Sequence, residues 1–325
     1  MSVRARSFRL PRAAPMGGRR SGRSRGDVIL LGLCAAAALV AVLTLCEVAY
    51  QVISGSSDAL SKFGLGFIWH ATWAPPFSQY SAGGFITGTL VSSAMALLLA
   101  MPIGVAIGIF LALQAPARVR AVIGPLVELL AAVPSVIIGL WGLLVLAPFV
   151  QRIEPGLNSA LGFIPLFGSP QTTGASVFTG GLVLTIMIVP IIASLSRDLF
   201  LTVPPDLQDG AAALGATRWE VIRGVVLPTT ASGVIAASVL GLGRALGEAI
   251  AVTQVIGNGN TIHTSLFETG DTLASRIANL FPGTDPLFTS ALFYLALVLL
   301  VIGLVTNLVA QWLSRRFAAH AAVLR

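Results

Sequence analysis

The sequence predicts an all-α, polytopic membrane protein. Of its 325 residues, 55% are hydrophobic and only 10% are charged, and its mean hydropathy is +0.89. Six stretches each hold the roughly 20 apolar residues needed to cross a hydrocarbon core about 30 Å thick. A soluble globular surface cannot be built from such a composition.

The spans are expected near 28–53, 85–113, 121–150, 177–200, 229–256 and 287–313. They form a permease-like domain over 28–313, between a basic tail at 1–27 and a second tail at 314–325. Pro102, Pro125, Pro134, Pro148 and Pro190 fall inside spans. Each removes a backbone donor that neighbouring helices must compensate, so kinks are expected.

Basic residues set the orientation, because Lys and Arg are retained on the cytoplasmic side. Sixteen of the 20 Lys and Arg fall in the N-terminal tail (Arg4 to Arg25), after the second span (Arg118, Arg120), around the fourth connection (Arg197, Arg218, Arg223) and at the C-terminus (Arg315, Arg316, Arg325). The opposite loops hold Lys62, Arg152 and Arg276. Both termini are therefore expected in the cytoplasm. The net charge of +7 follows from topology and lipid headgroups, and no nucleic-acid partner is expected. The first stretch is longer than a signal-peptide core and lacks a clear small-residue cleavage site, so it reads as a retained span.

Cys34 and Cys46 share the first span, too far apart on one helix to pair. His70, His263 and His320 are scattered over two outer loops and the C-terminal tail and read as solvated residues. No metal site and no hydrolase triad is expected.

Pro204 and Pro205 end the fourth span, with Asp206 as a plausible cap for a short helix that turns at Gly215. A second short helix carries Trp219, Ile222 and Val226 at helical spacing before Pro228. The residues alone allow an amphipathic hairpin on the membrane surface. No Gly-x-x-x-x-Gly-Lys-Ser/Thr loop is present, so any ATP must be bound elsewhere.

The fifth span carries Arg244 and Glu248 in Gly-Leu-Gly-Arg-Ala-Leu-Gly-Glu, close to the expected midplane. An arginine there costs at least ~2.5 kcal/mol to insert, so it should face protein or water. Four residues apart on a continuous helix, the two can neutralise one another. Alternatively, a permanently charged planar donor and an acceptor-only carboxylate together suit an anion that also carries a proton, such as hydrogen phosphate. Sulfate would be repelled by the carboxylate. Gly243 and Gly247 are spaced as a small-residue packing face. Glu128, in the third span, reads equally as an interhelical partner or a pathway residue.

The 206–228 connection resembles the EAA loop of ABC-importer permeases through Asp209-Gly210-Ala211, Gly215, Val225 and Leu227-Pro228, with Asp, Gly and Val replacing the usual Glu, Ala and Ile. Residues 128–142, Ile186 to Pro190 with Arg197-Asp198, and Leu240 to Glu248 with Ile256-Gly-Asn258 extend the resemblance to the phosphate ABC-importer permease family, closer to its PstC than its PstA type. The resemblance implies a type I, MetI-like fold and a place in the plasma membrane of a prokaryote. It also implies a PstA-type second permease, a PstB-type ATPase dimer that binds ATP, and a PstS-type external phosphate-binding protein. Arg244 and Glu248 become substrate-binding positions, and Asp209, Gly210, Ala211, Gly215, Leu227 and Pro228 become ATPase-coupling positions. The competing readings are a permease for sulfate, molybdate or another oxyanion, and an anion transporter without an ATPase.

Glu248→Gln should lower the preference for phosphate over sulfate, measured by competition in uptake assays; an unchanged preference would remove Glu248 from substrate choice.

Overall fold

The computed structural model describes residues 25–168 and 173–323. The basic residues from Arg4 to Arg23, and Arg325, lie outside the described residues. The chain divides into two units, Met1–Gln51 and Val52–Arg325. In the first, helix α1 (Arg25–Gly55) exposes apolar side chains on every face, as a helix surrounded by lipid would. Cys34 and Cys46 are exposed and unbridged.

The second unit follows with α2 (Ser57–Phe63), α3 (Gly66–Trp69), α4 (Gly83–Ile109), α5 (Ala117–Ala131), α6 (Ser135–Trp141), α7 (Ala147–Leu161) and α8 (Val177–Leu201). It continues with α9 (Pro205–Ala213), α10 (Arg218–Val221), α11 (Leu227–Gly247), α12 (Ile250–Val255), α13 (Leu273–Leu280) and α14 (Pro286–Val323). No strand forms among the described residues. Six helical stretches are long and apolar enough to cross a membrane: Gly26–Gly55, Gly83–Gln114, Ser135–Leu161, Val177–Leu201, Arg218–Gly247 and Pro286–Trp312.

Helix α8 is the central element, and small residues let its neighbours approach. A Cβ on Gly104 of α4 would stand 2.9 Å from Ile192, one on Gly181 of α8 2.8 Å from Met95, and one on Gly233 of α11 2.7 Å from Leu199. These pairs make α4 parallel and α11 antiparallel to α8. Ile188 and Ile192, at the middle of α8, are fully buried with Ala96, Ala100, Leu184 and Ala245 around them.

The third crossing is broken. Gly124 of α5 lies beside the Arg197 guanidinium, Gly142 meets Val183, and the Ala147 carbonyl meets Gly174 just before α8. Residues 124–147 therefore traverse the depth that α8 covers between Arg197 and Val177, and the apolar run from Ser135 to Leu161 extends past that end. Pro134, which supplies no N–H and disfavours helix at Val133, divides this crossing into α5 and α6. The kink expected within the 121–150 span is thus a full break between two helices at Pro134.

Prolines shape three other places in a common way. Wide π-turns occupy Phe110–Gln114, Gly142–Leu146 and Ile222–Val226, each ending two residues before a proline: Pro116, Pro148 and Pro228. Longer-range backbone bonds relieve the clash with the ring and the loss of its donor where the helix continues through Pro148 and Pro228, whereas the helix ends before Pro116, with Ala115 extended. Pro102, Pro125 and Pro190 lie within helices that continue through them. Beyond the apolar stretch, which ends at Trp312, α14 continues helical through the expected C-terminal tail as far as Val323 and holds His320.

At the end of the bundle away from α9, Phe67 stacks on Tyr294 at 4.2 Å, and Trp73 meets Tyr80 and Phe85 edge-on at 5.1 and 5.2 Å. The connection between α12 and α13 is seated against α4, where a Cβ on Gly88 would stand 2.0 Å from the Asp271 carbonyl oxygen. Gly88→Ala should therefore lower the thermal stability of the purified protein, by ~1–3 kcal/mol as overpacking does. Gly210→Ala, in the open on α9, should be neutral or stabilising by up to ~1 kcal/mol. Equal unfolding temperatures for the wild type and Gly88→Ala would contradict this seating.

Candidate functional site: the interrupted fifth span

Helix α11 ends at Gly247, and Glu248 turns to extended backbone at φ −72° and ψ 118° before α12 begins. A Cβ on Gly241 would lie 3.2 Å from Ile192 and 3.5 Å from Ile188, so Arg244 sits about one turn beyond the middle of α8. The continuous helix expected to carry the pair is corrected: it is interrupted at Glu248. The break removes the four-residue register that would have joined the charges, and no ion pair links Arg244 with Glu248. Arg244 occupies the last turn of α11 and is exposed, where its charge opposes the negative end of the helix dipole. Glu248 is half-buried, and its Oε1 accepts from the Ala251 N–H at 3.3 Å. One carboxylate oxygen is thus committed to the first turn of α12.

The face of α11 around Arg244 is uncovered. Ala236, Leu240, Gly243 and Gly247 lie along it and are all exposed, and a Cβ on Gly243 or Gly247 would meet nothing within 4 Å. The close contact expected of these two glycines is not made within this chain, where they leave space beside a guanidinium. Gly241, not Gly243 or Gly247, makes the close helix contact.

Helix α12 rests on α6. A Cβ on Gly139 would stand 2.7 Å from the Ala251 Cα, and one on Gly142 3.0 Å from Val255. The two interrupted spans thus pack together beyond their breaks, which fixes where Glu248 lies. The sequence shows the glycines and Pro134 but not that they meet residues more than a hundred positions away. Ile256-Gly257-Asn258 then turns the chain through positive φ at Gly257 (91°) and Asn258 (58°), and the Gly270 N–H donates to the Ile256 carbonyl at 3.0 Å.

At the other end of the bundle α9 and α10 form the expected hairpin, turning at Gly215 with φ 89°. Pro204 is the cap residue, so Asp206 lies in the first turn of α9. Thr217 and Glu220 close a reciprocal capping box that starts α10. The second helix does not stop at Pro228 but runs through the π-turn into α11. Ile222 and Val226 are buried, whereas Trp219 and Leu214 are 60% and 92% exposed. Asp209, Gly210, Gly215 and Pro228 are exposed, and Ala211 and Leu227 half-buried. Glu128 is not near the break: it lies on α5 and bonds the Arg197 guanidinium at 2.9 Å, beside Asp198 at 2.8 Å. His263 is exposed, as expected, and is paired with Glu268.

The family model for a binding-protein-dependent transport system inner membrane component matches residues 104–319. The chain is 44% identical over 283 residues to the phosphate transport system permease protein PstC of Pasteurella multocida, covering 86% of this chain and 88% of that protein. The chain belongs to the PstC permease family. A Mesorhizobium japonicum PstC is 42% identical over 300 residues, covering 90% and 91% of the two chains. Among solved structures, a bacterial alginate ABC transporter chain matches with a TM-score of 0.56 at 18% identity, covering 91% and 98%. A chain of the MetNI methionine ABC transporter matches at 0.50 and 16%, covering 73% and 94%. The type I, MetI-like permease fold is therefore that of this PstC-family chain, a multi-pass transport subunit.

Proposed function

We propose that this chain is one of two permease subunits of an ATP-driven importer of inorganic phosphate, with Arg244 and Glu248 contacting the anion. The observation that carries the reading is the break at Glu248. It places a permanent cation and a carboxylate with an uncommitted oxygen beside an uncovered, glycine-lined face near the middle of the bundle, in a chain whose relatives are named phosphate transport permeases. The guanidinium supplies donors to phosphate oxygens, and the carboxylate accepts from the protonated one.

A PstA-type permease would cover the open face of α11 and complete the pathway. A PstB-type ATPase dimer, binding ATP, would receive the α9–α10 hairpin, whose exposed Leu214 and Trp219 suit a groove in a partner. A PstS-type binding protein would deliver phosphate at the opposite end. Both termini and the hairpin then lie in the cytoplasm, in keeping with the arginine distribution. ATP-driven closure would pull Asp209 to Gly215 and, through the unbroken run from α10 to α11, shift the depth and aim of Arg244.

Arg244→Gln, as the cell's only copy and at membrane abundance equal to wild type, should abolish most phosphate uptake at limiting concentration. Undiminished ATP-dependent uptake would remove Arg244 from the mechanism.

A further inference from the structure

Glu248 is held by α12, and α12 is held by a polar network that continues beyond the spans. The Thr253 hydroxyl reaches the Ala249 carbonyl at 2.8 Å, in the break itself, and the Ser275 hydroxyl at 2.7 Å on α13. Ser275 is fully buried, as is Asp271 just before it in the turn that starts α13, and the Ser275 N–H donates to the Thr272 hydroxyl at 3.1 Å. Asp271 Oδ1 accepts from the Thr272 N–H at 2.8 Å, and Oδ2 lies 3.0 Å from Arg276 Nε.

Arg276 extends the network outward. Its guanidinium lies 4.6 Å over the Phe85 ring and 5.9 Å from that of Trp73, and reaches the Asn258 carbonyl at 3.5 Å. Burial pushes the Asp271 carboxyl up, against Ser275, Arg276 and the Thr272 N–H, which favour its ionised form. Burial likewise lowers Arg276, with Asp271 opposing. Two charges held out of water at this cost, with aromatic faces fixing one of them, form a rigid anchor.

We propose that Asp271, Arg276, Ser275 and Thr253 are positioning residues for substrate binding: they lock α12 to the end of α4 and so set where Glu248 presents its free oxygen. The assignment rests on the reading of Glu248 as a substrate contact. It makes the aromatic end of the bundle and the interrupted span one mechanical unit, so a load on the α13 side is felt at Glu248 through α12. None of these four residues needs to touch phosphate.

Thr253 allows the sharpest test, because valine keeps its shape and deletes its hydroxyl. In the assembled transporter, Thr253→Val should raise the KM for phosphate about tenfold, as small misplacements of a binding group do, with little change in maximal rate. Thr253→Ser should retain the wild-type KM. Hydrogen exchange of the backbone over residues 249–256, read in the same complexes, should quicken in Thr253→Val and in Asp271→Asn but not in Thr253→Ser. Exchange and KM both unchanged in Thr253→Val would overturn the network's role. If exchange quickens but Glu248→Gln transports phosphate normally, the network holds α12 and the substrate reading of Glu248 is what fails.

Discussion

An interrupted helix inside a bilayer must find partners for every backbone group it frees, and that constraint organises this protein. The fifth span stops at Glu248, and the amides freed at the start of α12 need partners there. The Glu248 carboxylate accepts one of them, the Thr253 hydroxyl donates to the carbonyl of Ala249, and α6 closes over Ala251 through Gly139. Polar residues in the break are therefore required by the backbone as much as by any ligand. That bond uses one Glu248 oxygen and leaves the other uncommitted.

The rest of the bundle makes that break rigid. Glycines on α4, α8 and α11 bring backbones close around Ile188 and Ile192, giving the tight packing on which membrane helices rely in place of a hydrophobic driving force. Gly243 and Gly247 differ, since nothing in the chain approaches them and the face beside Arg244 is left open. Small residues on one helix thus either admit a neighbour or keep an opening, and the direction of the helix face decides which.

The membrane class, the number of spans and the hairpin after α8 were legible because each depends on local chemistry: apolar length, the Pro204-Pro205 stop and the turn at Gly215. The break at Glu248 was not, because the apolar run continues through Ala249 and Ile250 and only the seating of Ala251 on Gly139 stabilises the alternative. Glu128 looked intramembrane by hydropathy, yet its partner Arg197 is 69 positions away, so its tie near the hairpin end of α8 appears only in three dimensions. Asp271 and Arg276 had no sequence signal beyond an outer-loop arginine, since their significance lies in the complete burial of Asp271 and in the rings of Trp73 and Phe85 beside Arg276.

The central claim is that the face of α11 bearing Arg244 lines a wet, anion-accessible path. Its most direct test is thiol accessibility at Gly243, where a side chain meets nothing within the chain. In the assembled transporter with Cys34 and Cys46 replaced by serine, Gly243→Cys should react with a hydrophilic cationic thiol reagent and be protected by phosphate, while Leu246→Cys, on the buried face, should remain unlabelled. Labelling at Gly243→Cys that is absent in every transport state, or indifferent to phosphate, would contradict the account.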